Sequence, residues 1–167
     1  MAERDAGSGM KRTVLSLAIL AQAAGPAAAQ TLLKPPQFAP LIENICLPLV
    51  RGGTVAAGEA NAKKLAFTAS ARNETMVTVE RAPFLSITLG PGNCDIGLTA
   101  VTPPHFRAVE EELRAWLPRL GRYWASSIEG EPVMGTRFRK YRAGGFTVTV
   151  EEQIDEHGRR INVNMGK

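Results

Sequence analysis

The chain has 167 residues, 44% of them hydrophobic and 22% charged. That is room for one domain and not two, and it is the composition of a packed globular protein, which excludes a disordered or fibrous chain. A net charge of +4 is too mild to call for a nucleic-acid partner, and two Cys with two His exclude a multi-Cys zinc module or a His-rich metal cluster.

The N-terminal stretch reads as an export signal. Met10-Lys11-Arg12 is a short basic region, residues 13–24 are apolar, Gly25-Pro26 breaks the run, and Ala27-Ala28-Ala29 supplies small residues for cleavage before Gln30. About a dozen apolar residues fall short of the roughly 20 that span a bilayer. Residues 1–9 are polar and mixed in charge, and Met10 with its two basic followers is the better start of translation. No Cys follows the cleavage box, so no lipid attachment is expected there. The organisation expected is a signal peptide at 1–29, a Pro-containing linker at 30–37 and a single α+β domain at 38–167. Processing removes three basic and two acidic residues and lowers the net charge by one.

Export gives the two cysteines of the mature chain a compartment. In an oxidising environment two lone Cys pair, and a Cys46–Cys94 disulfide is expected. Two alternatives remain at this level: buried free thiols, or a catalytic thiolate with His105 as its base. No motif surrounds either Cys to favour the second.

In the mature chain a first helix is predicted over 40–50. Leu41, Ile42, Ile45, Cys46, Leu49 and Val50 make one apolar stripe, with Pro48 expected to kink or end it. Thr54 caps a second, Ala-rich helix that runs to about Ala66. Residues 68–74 are polar and read as a loop. Strands follow at 75–80, from Leu85 to Leu89, and from Cys94 to Ala100, the last two joined by a turn at Gly90-Pro91-Gly92-Asn93. Thr102-Pro103-Pro104 starts a third helix that ends near Leu120 with Gly121 as its cap, and Glu110, Glu111 and Glu112 read as its solvated side. Strands are then expected at 123–129 and 133–142, along Phe146-Val148-Val150 and along Ile161-Val163-Met165, with Asp155-Glu156-His157-Gly158 turning between the last two. The order ααβββαββββ is α+β: an antiparallel sheet with helices packed on one face and one disulfide.

No motif for catalysis, a metal or a phosphate loop stands out, so no catalytic residue, metal ligand or cofactor is assigned. His157 sits at a hairpin tip and His105 in the first turn of the third helix. The sharpest charge feature is Arg137-Phe138-Arg139-Lys140-Tyr141-Arg142. Strand alternation places Arg137, Arg139 and Tyr141 on one face and Phe138, Lys140 and Arg142 on the other. Arg137, Arg139, Lys140 and Arg142 are therefore candidates for an anionic partner, the plain alternative being a charged edge that blocks sheet-to-sheet aggregation. Trp116 and Trp124 are candidate groove aromatics, the alternative being core packing.

The layout of signal, early helix with one Cys, Ala-rich helix and strand with a second Cys resembles small bacterial envelope proteins. That resemblance is one of arrangement and implies neither an activity nor site residues. The expected function is a periplasmic or secreted, non-catalytic protein that binds a protein or an anionic envelope component, with no nucleic-acid partner and no stable membrane span after cleavage. The alternatives are an unrecognised periplasmic enzyme, a hydrolase with His105 as the residue to test, and a structural envelope protein.

Overall fold

The computed structural model describes residues 37–81, 84–99, 101, 104–130 and 135–167. All belong to one unit, Lys34–Lys167. The expected signal peptide, the Met10 start and the linker except Gln37 lie outside the described residues.

The first helix, α1, covers 38–50 without a break. It is α-helical over Phe38–Leu41, widens to a π-helical turn over Ile42–Cys46 and closes again over Leu47–Val50. The wide turn explains why Pro48 does not end the helix. A proline ring collides with the carbonyl four residues back and offers no N–H, and a π turn just before it absorbs both defects. There the Leu47 N–H reaches back to the Ile42 carbonyl. Phe38, Leu41, Ile42, Ile45, Cys46, Leu49 and Val50 are buried along one side.

Helix α2 (Val55–Lys64) starts where Thr54 Oγ1 accepts from Ala57 N–H at 3.2 Å. It lies close on the sheet: a Cβ at Gly58 would sit 3.4 Å from the Leu89 side chain. Helix α3 (Pro104–Trp116) continues as a 3-10 turn, Leu117–Leu120, capped by Gly121 at φ 111.

Nine strands form one antiparallel sheet: β1 (Thr68–Arg72), β2 (Val77–Arg81), β3 (Leu85–Gly90), β4 (Asn93–Thr99), β5 (Tyr123–Ala125), β6 (Glu129–Gly130), β7 (Thr136–Ala143), β8 (Phe146–Asp155) and β9 (Gly158–Gly166). Their spatial order is β1-β2-β3-β4-β9-β8-β7-β5, with β6 also beside β7. The two halves of the chain meet at the β4–β9 pair. Two corrections to the predicted order follow. Residues 68–72 are strand rather than loop: every residue of β1 is exposed, so no burial pattern marks it, and it is held by pairing with β2 around a bulge between Ala69 and Ala71. The single strand expected over 123–129 is broken. Ser126 N–H donates to the Lys140 carbonyl and Lys140 N–H donates to Ser126 Oγ, which replaces regular pairing between β5 and β6.

The three helices pack on one face. The row Val79–Ile87–Ile96–Val163–Val150 crosses five strands on that side, and all five residues are buried. The opposite face carries the row Thr78–Thr88–Asp95–Asn164–Thr149–Lys140. This is the one-face-covered antiparallel sheet of an α+β protein. Cys46 on α1 and Cys94 on β4 form a disulfide with Cα atoms 5.3 Å apart, both fully buried. Among the described residues no helix is long and apolar enough to cross a membrane.

Candidate functional site

Strand β7 sorts its cations by face. Arg137, Arg139 and Tyr141 point to the helices. Arg137 Nε pairs with Glu152, and its guanidinium lies 4.3 Å from the centroid of the Phe106 ring. Arg139 Nε is 2.9 Å from Glu110 Oε1, and Tyr141 OH donates to the same oxygen at 3.1 Å. Burial, and then the Glu110 charge, push the Tyr141 phenol up to about 12. Arg137 and Arg139 keep only 19% and 14% side-chain exposure. The triple Glu is accordingly not a solvated side. Glu110 is buried against β7, and Glu112 accepts from Ala39 N–H at 2.7 Å, so only Glu111 is left exposed.

Lys140 and Arg142 point the other way, into solvent, and pair with no carboxylate among the described residues. The four cations named from the sequence are thus divided between the two faces. Opposite Arg142 in register stands Trp124, 58% exposed. Arg122, just ahead of β5, lines a cavity together with Arg142. Tyr123, 39% exposed, points to the opposite face, with its ring 6.4 Å from that of Tyr141, and Ile128, beyond the end of β5, is 42% exposed. Sequence reasoning singled out neither Arg122 nor Ile128 as a site residue. The signal for Arg122 was its two-residue spacing from Trp124, legible only once 123–125 is known to pair with β7.

Trp116 and Trp124 lie on opposite sides of the sheet. Trp116 is buried and donates Nε1–H to Glu43 Oε1 at 2.8 Å. The Glu43 carboxyl is held below its usual range, first by Arg119 and then by this indole. His105 lies half-buried in the first turn of α3 and His157 at the exposed β8–β9 turn, where its N–H donates to Asp155 Oδ1 at 2.9 Å. Both sulfurs are spent in the disulfide, so neither Cys offers a thiolate. No group of three His, Cys, Asp or Glu among the described residues is placed to hold a metal ion.

On the open face Asp95 Oδ1 is buried without a hydrogen-bond partner. Desolvation, and then the charge of Glu151, raise its carboxyl above the ordinary aspartate range. With its folded-state pKa above the unfolded one, Asp95 binds a proton more tightly in the folded chain. Stability therefore falls as pH rises through that window, from about 4 upward. Asp95→Asn is expected to remove this slope and to stabilise the protein at neutral pH by about 1 kcal/mol, since an uncompensated buried charge is lost. Melting temperatures of both proteins at acidic and neutral pH measure it, and a variant less stable at neutral pH would overturn it.

Compared with known proteins, the chain matches no protein family, and no curated protein and no solved structure is similar to it.

Proposed function

We propose that the chain is exported, processed before Gln30, and acts as a small non-catalytic binding protein that docks on the anionic membrane surface of the cell envelope through its β5–β7 edge. The observation that carries this reading is the sorting on β7. The two inward cations are neutralised by Glu110 and Glu152, while Lys140 and Arg142 stay in solvent beside Trp124. A solvated edge that only blocks aggregation needs the charge. It does not need an exposed Trp beside them. An amphipathic indole among cations suits the boundary between lipid headgroups and acyl chains, where the ring is buried and the cations meet phosphate. The disulfide fits an oxidising compartment.

The test is co-sedimentation with phosphatidylglycerol vesicles against phosphatidylcholine vesicles. Binding is expected to the anionic vesicles alone and to fall with salt. Lys140→Ser with Arg142→Ser should weaken it by about 2 kcal/mol, on the order of 30-fold, at about 1 kcal/mol per cation near the surface. Equal binding to both vesicles, or an unchanged double variant, would overturn the reading. Retention instead on an acidic polysaccharide or an acidic protein would replace lipid as the partner.

A further inference from the structure

At the corner of the sheet, beside the β7–β8 hairpin, lies a cavity of about 380 Å³. Its walls are Arg122, Arg142, the Gly144-Gly145 turn, Phe146 and Thr147. The chemistry of this lining is one-sided: two guanidiniums, one hydroxyl, glycine backbone and no carboxylate. Neither Arg122 nor Arg142 pairs with an acid among the described residues, whereas each inward cation of β7 has its own carboxylate.

The pairing of three strands builds the site. Trp124 stands opposite Arg142 and Arg142 opposite Thr147, so one cross-strand row carries Trp124, Arg142 and Thr147 on the open face. Arg122 lies two residues before Trp124, just ahead of β5, and lines the same cavity. The hairpin is held against the end of α3's 3-10 turn. Gly144 and Gly145 have φ of +57 and +82, and a Cβ at Gly144 would come 2.8 Å from the Leu120 carbonyl. That close approach requires glycine and fixes the hairpin two residues from Arg122. Nothing lies within 4 Å of the Cβ position at Gly145, which leaves the turn open on that side.

Two unpaired arginines at a small cavity raise the local potential and present planar forks that match phosphate oxygens two at a time. The volume falls in the lower part of the usual ligand range, about 300–1,000 Å³. We infer that this cavity is a binding site for a phosphate monoester: Arg122 and Arg142 clamp the phosphate, Thr147 donates its hydroxyl, and the open side of the Gly144-Gly145 turn leaves room for the organic part. The inference rests on the docking reading of the β5–β7 edge and names the group that the edge recognises. A phosphatidic acid headgroup and a soluble phosphate ester share this chemistry.

Titration with glycerol phosphate, followed by phosphorus NMR and calorimetry, tests the site. Saturable binding is expected, and Arg122→Gln should weaken it on the order of tenfold or more, the worth of a charge-assisted hydrogen bond. Arg122 is exposed, so the variant should keep the melting temperature of the parent. Absence of saturable binding, or an Arg122→Gln variant that binds as the parent does, overturns the site even where phosphatidylglycerol vesicles are still bound. Stronger retention on phosphatidic acid vesicles than on phosphatidylglycerol vesicles, lost in Arg122→Gln, supports the site and makes lipid the source. Glycerol phosphate binding without binding to either vesicle supports the site for a soluble ester and overturns the docking reading instead.

Discussion

Replacing either Cys46 or Cys94 by Ser is expected to cost about 2–5 kcal/mol, the largest effect of any single change at these buried positions. The bridge closes a loop across 48 residues, and the loop-entropy argument gives about 4 kcal/mol for that length. It joins the π-helical turn of α1 to β4, the strand through which the N-terminal half of the sheet meets β9. Both residues are fully buried, so each Ser also leaves a hydroxyl in apolar surroundings. Because the two single variants lose the same cross-link, their costs should be similar, and the double variant should cost little more than either. Urea titrations of the three variants measure this. Single variants within a few tenths of a kcal/mol of the parent, or a double variant with the two costs added, would remove the bridge from its stabilising role. Set against about 5–15 kcal/mol of total stability for a typical domain, the loss is large enough to show as reduced yield.

The bridge was legible in the sequence because two independent patterns pointed at it. Cys46 falls on the apolar stripe of α1, and Cys94 shares a strand face with Ile96 and Leu98. The same logic read β8 and β9, where Val148, Val150, Ile161 and Val163 alternate against one covered face. It failed where burial does not write a pattern. Strand β1 is exposed throughout, and β6 has two residues and no period. Pro48 was expected to kink or end the helix because the π turn that accommodates it leaves no mark in residue type. At the candidate site, alternation divided the cations of β7 correctly into two faces but could not say which face is covered. That depends on Glu110 and Glu152 arriving from α3 and β8, contacts of tertiary structure that local spacing does not contain. The cavity needed one further step, the pairing of β5 with β7, since only that pairing brings Arg122 beside Arg142.

Glu152→Ala should be the most damaging change outside the disulfide and the apolar core. Glu152 has no exposed side-chain surface and stands opposite Arg137 on β7 and Ile161 on β9. Its two oxygens are divided between Arg137 and Arg159, the latter at 2.5 Å. Removing the carboxylate leaves two cations facing each other with 19% and 22% exposure, one of them laid on the Phe106 ring. Breaking a buried pair in this way costs about 3–5 kcal/mol, and the residual solvent contact of both arginines places the expected value near about 3 kcal/mol. Glu152→Gln keeps the shape and one acceptor and should cost less. In an Arg137→Met, Glu152→Leu, Arg159→Met triple variant all three charges leave together, so it should be more stable than Glu152→Ala and the single costs should not add. Lys140→Ser on the outer face, by contrast, should shift stability by no more than about 0.5 kcal/mol. Denaturant unfolding of these variants separates the two faces of β7 in energy. A near-neutral Glu152→Ala would mean that the inward cations are no more committed to the fold than the outward ones. The sorting that singles out Lys140 and Arg142 as the docking cations would then lose its basis.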